Sequence, residues 1–185
     1  MKDKVVVGVA GMPGSGKGAF RRTLQKMGYP VVIMGDEVRE EVKRRNLKPT
    51  PENLGKTMLQ LRDSEGPAAV AKRCIPKLNK ATEKIVGVDG IRSLHEVEEF
   101  RKHFPCFILI FIHASPRTRY QRLFRRRRSD DPKSWESFME RDLRELGVGM
   151  GAVIATADHM IVNEGTLAQL KKKIRQVLKE VLGNE

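Results

Sequence analysis

KVVVGVAGMPGSGK, running from Lys4 to Lys17, decides how the rest of the chain is read. Its first half, Lys4 to Ala10, is a nearly unbroken β-branched run, the pattern of a strand buried on both faces of a parallel sheet. Its second half, Gly11-Met12-Pro13-Gly14-Ser15-Gly16-Lys17, matches GxxxxGK and leads into a helical pattern with Phe20 and Leu24 on one face. A glycine-rich turn between a buried strand and a helix lets successive backbone N–H groups curl around a phosphate without Cβ clashes. The helix N-terminus adds its dipole, and Lys17 is placed to reach the β- and γ-phosphates. The stretch therefore predicts a nucleoside triphosphate site.

Strand and helix alternate outward from this point. Strands are expected at Pro30–Met34, Lys84–Val88, Cys106–Ile112 and His159–Val162. Helices are expected from about Lys17 to Met27, from Gly35-Asp36 onward, and in two pieces between Thr50 and Lys80 divided near Gly66-Pro67. Further helices are expected around Leu94–Lys102, Pro116–Arg128, Ser134–Leu146 and Thr166–Leu182. Thr50 reads as an N-cap with Pro51 at the first helical position. The pattern predicts an α/β fold, a P-loop NTPase three-layer sandwich with a mostly parallel five-stranded sheet, as a single domain over residues 1–185.

The chain has 185 residues and a net charge of +13, and seven arginines fall between Arg117 and Arg128. Basic excess of this kind suits polyanions, either nucleotides or nucleic acid. The longest apolar run, Cys106 to Ile112, is far short of the roughly 20 residues of a membrane span. Residues 1–10 show no cleavage-type site, so no signal peptide and no membrane association are expected. Cys74 and Cys106 form neither a CxxC pair nor a disulfide framework, which points to a reducing, cytoplasmic setting. The four histidines have no metal-ligand spacing. Arg125–Lys133 (RRRRSDDPK) reads as exposed, mobile chain.

The residue after Lys17 is Gly18, followed by Ala19, and here the loop resembles that of the adenylate kinase family, GxPGxGKG followed by Thr or Ser. Ala19 lacks that hydroxyl. Ile33-Met34-Gly35-Asp36-Glu37-Val38-Arg39 is similar to the family's nucleotide-monophosphate helix, and Val88-Asp89-Gly90-Ile91-Arg92 to its third-strand signature. The resemblance implies a nucleoside monophosphate kinase-like fold, with an acceptor-binding helical region at about 35–82 and a helical lid at about 117–146. ATP and Mg²⁺ are the implied cofactors. Gly11 through Ala19 would hold the triphosphate, Asp89 would hold Mg²⁺ through water, and Arg39 and Arg92 would grip the acceptor phosphate beside Asp36. Met34 stands where those enzymes have a hydroxyl residue near the acceptor base. The nearest likeness within that broad family is to archaeal adenylate-kinase-related proteins.

Arg119, Arg122 and Arg126 share one helical face, beside Tyr120, Leu123 and Phe124. Such a face could stack on adenine and meet the transferred phosphoryl group. The resemblance implies that Arg122 starts the lid and that Arg141 or Arg144 closes over the phosphates. Asn163-Glu164-Gly165 resembles an adenine-side loop of related small-molecule kinases. Three readings of function stay open on the residues. The first is phosphoryl transfer from ATP to a nucleoside monophosphate. The second is transfer to a hydroxyl, as in dephospho-CoA kinase, with Asp36 as base. The third is a P-loop nucleotide-binding protein acting on RNA or a protein partner through Arg125–Arg128.

Overall fold

The computed structural model describes residues 4–128 and 131–183. In chain order the elements are β1 (Val5–Ala10), α1 (Lys17–Lys26), β2 (Val31–Ile33), α2 (Met34–Arg44), α3 (Pro51–Glu65), α4 (Ala69–Lys80), β3 (Ile85–Ile91) and α5 (Leu94–His103). They continue with β4 (Cys106–His113), α6 (Pro116–Arg126), α7 (Trp135–Glu145), a π-helical turn (Leu146–Met150), α8 (Gly151–Ala155), β5 (His159–Val162) and α9 (Leu167–Leu182).

The five strands form one sheet in the order β2-β3-β1-β4-β5, with every described pairing parallel. β1 is central, which explains its β-branched run: one face feeds each of two cores. Val6, with Val86, Val88 and Leu109, packs under α2, α4 and α5. Val7 and Val9, with Ile110, Ile112 and Ile161, pack under α1 and α9 through Phe20, Leu24, Ile174 and Leu178. The three-layer α/β architecture expected from the alternation is therefore present. Among the described residues no helix is long and apolar enough to cross a membrane.

Local chemistry sets the element ends. The Thr50, Ser93, Ser115, Ser134 and Thr166 side chains each accept a backbone N–H of the helix they open. Two expectations need correction. β3 does not stop at Val88; it runs through Asp89 and Gly90 to Ile91, because a bulge pairs Ala10 with Ile91 after Val9 has paired with Asp89. The bulge places Gly90 at φ 111°, a conformation glycine tolerates, so the Asp-Gly pair continues the strand. The stretch Arg125–Lys133 is also not wholly exposed. Ser129 and Asp130 lie outside the described residues, but Asp131 is buried and accepts from Arg126 Nε at 2.9 Å and from the Arg128 N–H at 2.9 Å.

α2, α3 and α4 are stitched together by charge. The buried Glu41 carboxylate accepts from Arg44, Arg45 and Arg73, and Arg73 also reaches Glu65. The Arg45 hydrogen bond, helped by Arg73 and Arg44, holds the Glu41 carboxyl down at about 2.

Candidate functional site

The loop from Gly11 to Gly16 leaves the C-terminal end of the central strand, the position where open α/β sheets bind ligands. Gly11, Gly14 and Gly16 have φ of 152°, 83° and 114°. The space around them is as restrictive as their dihedrals. A Cβ on Gly11 would sit 2.5 Å from the Ile112 carbonyl oxygen, one on Gly14 2.9 Å from the Arg119 carbonyl oxygen, and one on Gly16 2.6 Å from Asn163 Nδ2. Ser15 is buried and its hydroxyl has no hydrogen-bond partner among the described residues. A closely wrapped backbone with an unpaired buried hydroxyl fits an oxyanion ligand.

Lys17 Nζ donates to the carbonyls of Gly11 and, at 3.3 Å, Met12. Burial lowers its pKa to about 8, against the pull of Asp89 and Glu145 and with the push of Arg92 and Arg141. Lys17, Gly11, Arg92, Glu145 and Met150 line one cavity of about 40 Å³. That volume has room for ordered water.

Asp89 is buried at the end of the β2–β3–β1 register, opposite Val9 and Ile33, with Arg21 Nη1 at 3.5 Å. Desolvation pushes its carboxyl up, opposed by Lys17, Arg21 and Arg92. Gly18 and Ala19 bring no hydroxyl, and no group of three metal-ligating side chains occurs among the described residues. One carboxylate beside the loop suits a Mg²⁺ carried by phosphates and reached through water.

Several expected site residues converge here. Asp89, Arg92 and Arg141 all act electrostatically on Lys17, and Arg92 and Asp36 act on Asp89. Others are engaged elsewhere. Arg39 pairs with Asp36 three residues before it, both well exposed. Arg126 pairs with Asp131, and Arg144 is exposed. Arg122 Nη2 donates to Asn163 Oδ1 at 3.3 Å and to the Gly165 carbonyl at 3.2 Å. The buried Asn163 in turn donates Nδ2 to the Ser15 carbonyl at 2.7 Å, so its amide nitrogen braces the loop while its oxygen holds Arg122.

Arg119 departs most from its sequence reading. It shares no ligand-facing role with Arg122 and Arg126, because its guanidinium is buried in a bidentate pair with Asp142. Nε donates to the Ala114 carbonyl at 3.0 Å and Nη1 to the Pro13 carbonyl at 3.3 Å, while the Phe138 ring lies 5.1 Å away. Arg119 thereby ties the loop to α6 and α7. Glu145, Glu96 and Asp142 were not singled out in the sequence, where no spacing marks them. Glu145 Oε1 lies 3.2 Å from Arg92 Nη1, and the buried Glu96 accepts the Arg92 N–H at 2.8 Å.

A UPF0200 protein of Pyrococcus furiosus is 49% identical over 92% of this chain and 94% of its own length. The chain belongs to the UPF0200 family. A model described as an AAA domain matches residues 10–139 of this UPF0200 chain, a span that contains the loop, α1 to α6 and the strands β2, β3 and β4. Among solved structures, a shikimate kinase from Bacteroides thetaiotaomicron is similar with a TM-score of 0.62, 14% identity, and coverage of 97% and 99% of the two chains. A gluconokinase from Sinorhizobium meliloti follows with a TM-score of 0.58, 14% identity, and coverage of 98% of each. At such identity the likeness is one of fold. The UPF0200 chain has a P-loop kinase-like fold, and its likeness to adenylate kinases is not specific to them.

Proposed function

We propose that the protein is an ATP-dependent phosphotransferase that moves the γ-phosphoryl group to a nucleoside monophosphate. One observation carries this reading: Lys17, the cation for the transferred group, and Arg92, a cation for an acceptor phosphate, line the same cavity. A phosphate acceptor is already ionised and needs no base, so catalysis rests on positioning and charge neutralisation. The loop N–H groups and Lys17 hold the triphosphate, and Arg92 exchanges Glu145 for the acceptor. Mg²⁺, when bound, neutralises charge on the phosphates, with Asp89 holding it through water. Arg122 remains at the nucleotide side, and Arg126, Arg141 and Arg144 are assigned to closure of the 117–146 region. Free thiols at Cys74 and Cys106 suit a cytoplasmic setting.

A second reading, transfer to a hydroxyl, is favoured by the Glu145 carboxylate in that cavity wall, a candidate proton acceptor. Screening ATP consumption against all ribo- and deoxyribonucleoside monophosphates, dephospho-CoA, shikimate and gluconate separates the two. Turnover confined to hydroxyl acceptors would overturn the first.

With a monophosphate acceptor, Arg92→Ala is expected to raise the acceptor KM about tenfold or more, while ATP affinity changes by less than about twofold. Loss of ATP binding with unchanged acceptor kinetics would remove Arg92 from the acceptor side. Triphosphate binding is also expected to take up a proton at a pH about one unit above the Lys17 value, because an anion raises a pKa that burial had lowered. Calorimetry in buffers of different ionisation heat reads this uptake directly. It should vanish about one unit below that value, where Lys17 already carries its proton. Identical heats in both buffers at the higher pH would contradict it.

A further inference from the structure

Arg39 and Arg92 are the pair that resemblance assigns to the acceptor, yet only Arg92 reaches the cavity. The structure offers Arg92 a different companion. Arg62, on the last turns of α3, has a side chain only 13% exposed. Its Nη2 donates to Glu96 Oε1 at 2.8 Å, while Nε and Nη1 are closed off from solvent with no hydrogen-bond partner among the described residues.

Such a deficit is uncommon, since buried donors are almost always paired and an unpaired one on a charged group is costly. The more deeply buried Arg119 is fully satisfied, using all three nitrogens on Asp142 and two backbone carbonyls, while Arg122 lacks a partner at one nitrogen only, Nη1, against two on Arg62. Arg62 is also not loosely held. Glu96 is 1% exposed, and its two oxygens are divided between Arg62 and the Arg92 N–H. Its own N–H is capped by Ser93 Oγ. One carboxylate therefore joins the Arg62 side chain to the backbone of Arg92, and Arg92 lines the Lys17 cavity. Arg39, by contrast, has its guanidinium on Asp36, a neighbour on its own helix, with more than half its side chain in solvent.

We infer that Arg62, not Arg39, is the partner of Arg92 in binding the oxyanion of the acceptor. The inference rests on the phosphotransferase reading and names the acceptor's chemistry: a phosphate or carboxylate, taken by the N–H groups that Arg62 leaves unpaired. The site admits that group when α3 or the Arg62 side chain shifts enough to open Nε and Nη1.

The test follows the Arg62 Nε–H signal by ¹H–¹⁵N NMR in the full chain, assigned with Arg62→Lys. The loop is first filled with a non-hydrolysable ATP analogue, and inorganic phosphate, AMP and the other nucleoside monophosphates are then titrated in. The expected result is a saturable shift of the Arg62 signal. Arg62→Gln should weaken that binding about tenfold or more, with less than about twofold change in Arg39→Gln and with affinity for the ATP analogue kept. Arg62→Lys retains a charge on Glu96 and supplies a folded reference if Arg62→Gln melts early. An Arg62 signal that stays still while monophosphates bind, or equal binding by wild type and Arg62→Gln, would overturn the inference and leave the kinase reading intact. An Arg62 shift with inorganic phosphate, in a protein that phosphorylates no monophosphate, would keep the inference and sink that reading instead. A signal unmoved by every oxyanion tested overturns it outright.

Discussion

Lys17→Met is expected to lower phosphoryl transfer about a hundredfold or more, the effect of removing one preorganised donor from a developing charge. Methionine fills nearly the same volume, so the strand–loop–helix unit keeps its packing. The stability of the variant carries a signature of its own. Burial brings Lys17 down to a pKa of about 8 in the folded protein, against the ordinary lysine value of 10.5. Between these values the unfolded chain binds more protons than the folded one, so wild-type stability rises with pH through that window. Lys17→Met lacks the group and should show a shallower rise. Turnover at saturating ATP, beside melting curves across that range, checks both points. Wild-type turnover in Lys17→Met would end the P-loop mechanism for this protein.

Asp142→Ala is expected to be the most damaging single change away from the loop. It leaves the Arg119 guanidinium, 4% exposed, without its counter-charge. Breaking a buried pair in this way costs about 3–5 kcal/mol, a large share of the 5–15 kcal/mol that typically holds a domain together. For a chain of this length the melting temperature should fall by roughly 10 °C or more. Replacing both partners with apolar residues, Arg119→Met with Asp142→Leu, should recover much of the loss, because no charge is then stranded. The double variant still loses the donor to the Pro13 carbonyl, so nucleotide affinity should fall even where stability returns. A single variant that melts within about 2 °C of wild type would show that Arg119 finds another partner.

The β1 run and the glycine loop were legible because their signals are local: β-branched continuity, and glycines where no Cβ fits. Helix starts were equally plain at Thr50 and Ser134, where one side chain meets one N–H. The end of β3 is expected at Val88 because the apolar run stops there, and only the pairing of Ala10 with Ile91 reveals that the strand continues through a bulge. In the arginine-rich stretch, seven identical side chains in twelve positions give a reader no way to rank them. Arg119 is set apart by Asp142, which lies 23 residues on and pairs with it only in three dimensions. Glu145 was hidden for a related reason. It precedes a π-helical turn containing Gly147 and Gly149, where apolar periodicity stops and leaves no face to predict.

The charge stitching of α2, α3 and α4 has a thermal consequence. Hydration of charged groups becomes less favourable on warming, so the penalty for keeping the Glu41 carboxylate and the Arg73 guanidinium away from water shrinks as temperature rises. Apolar burial gains no comparable advantage on heating. The three helices α2, α3 and α4 are thus joined by contacts that hold relatively better in a hot solution than in a cold one.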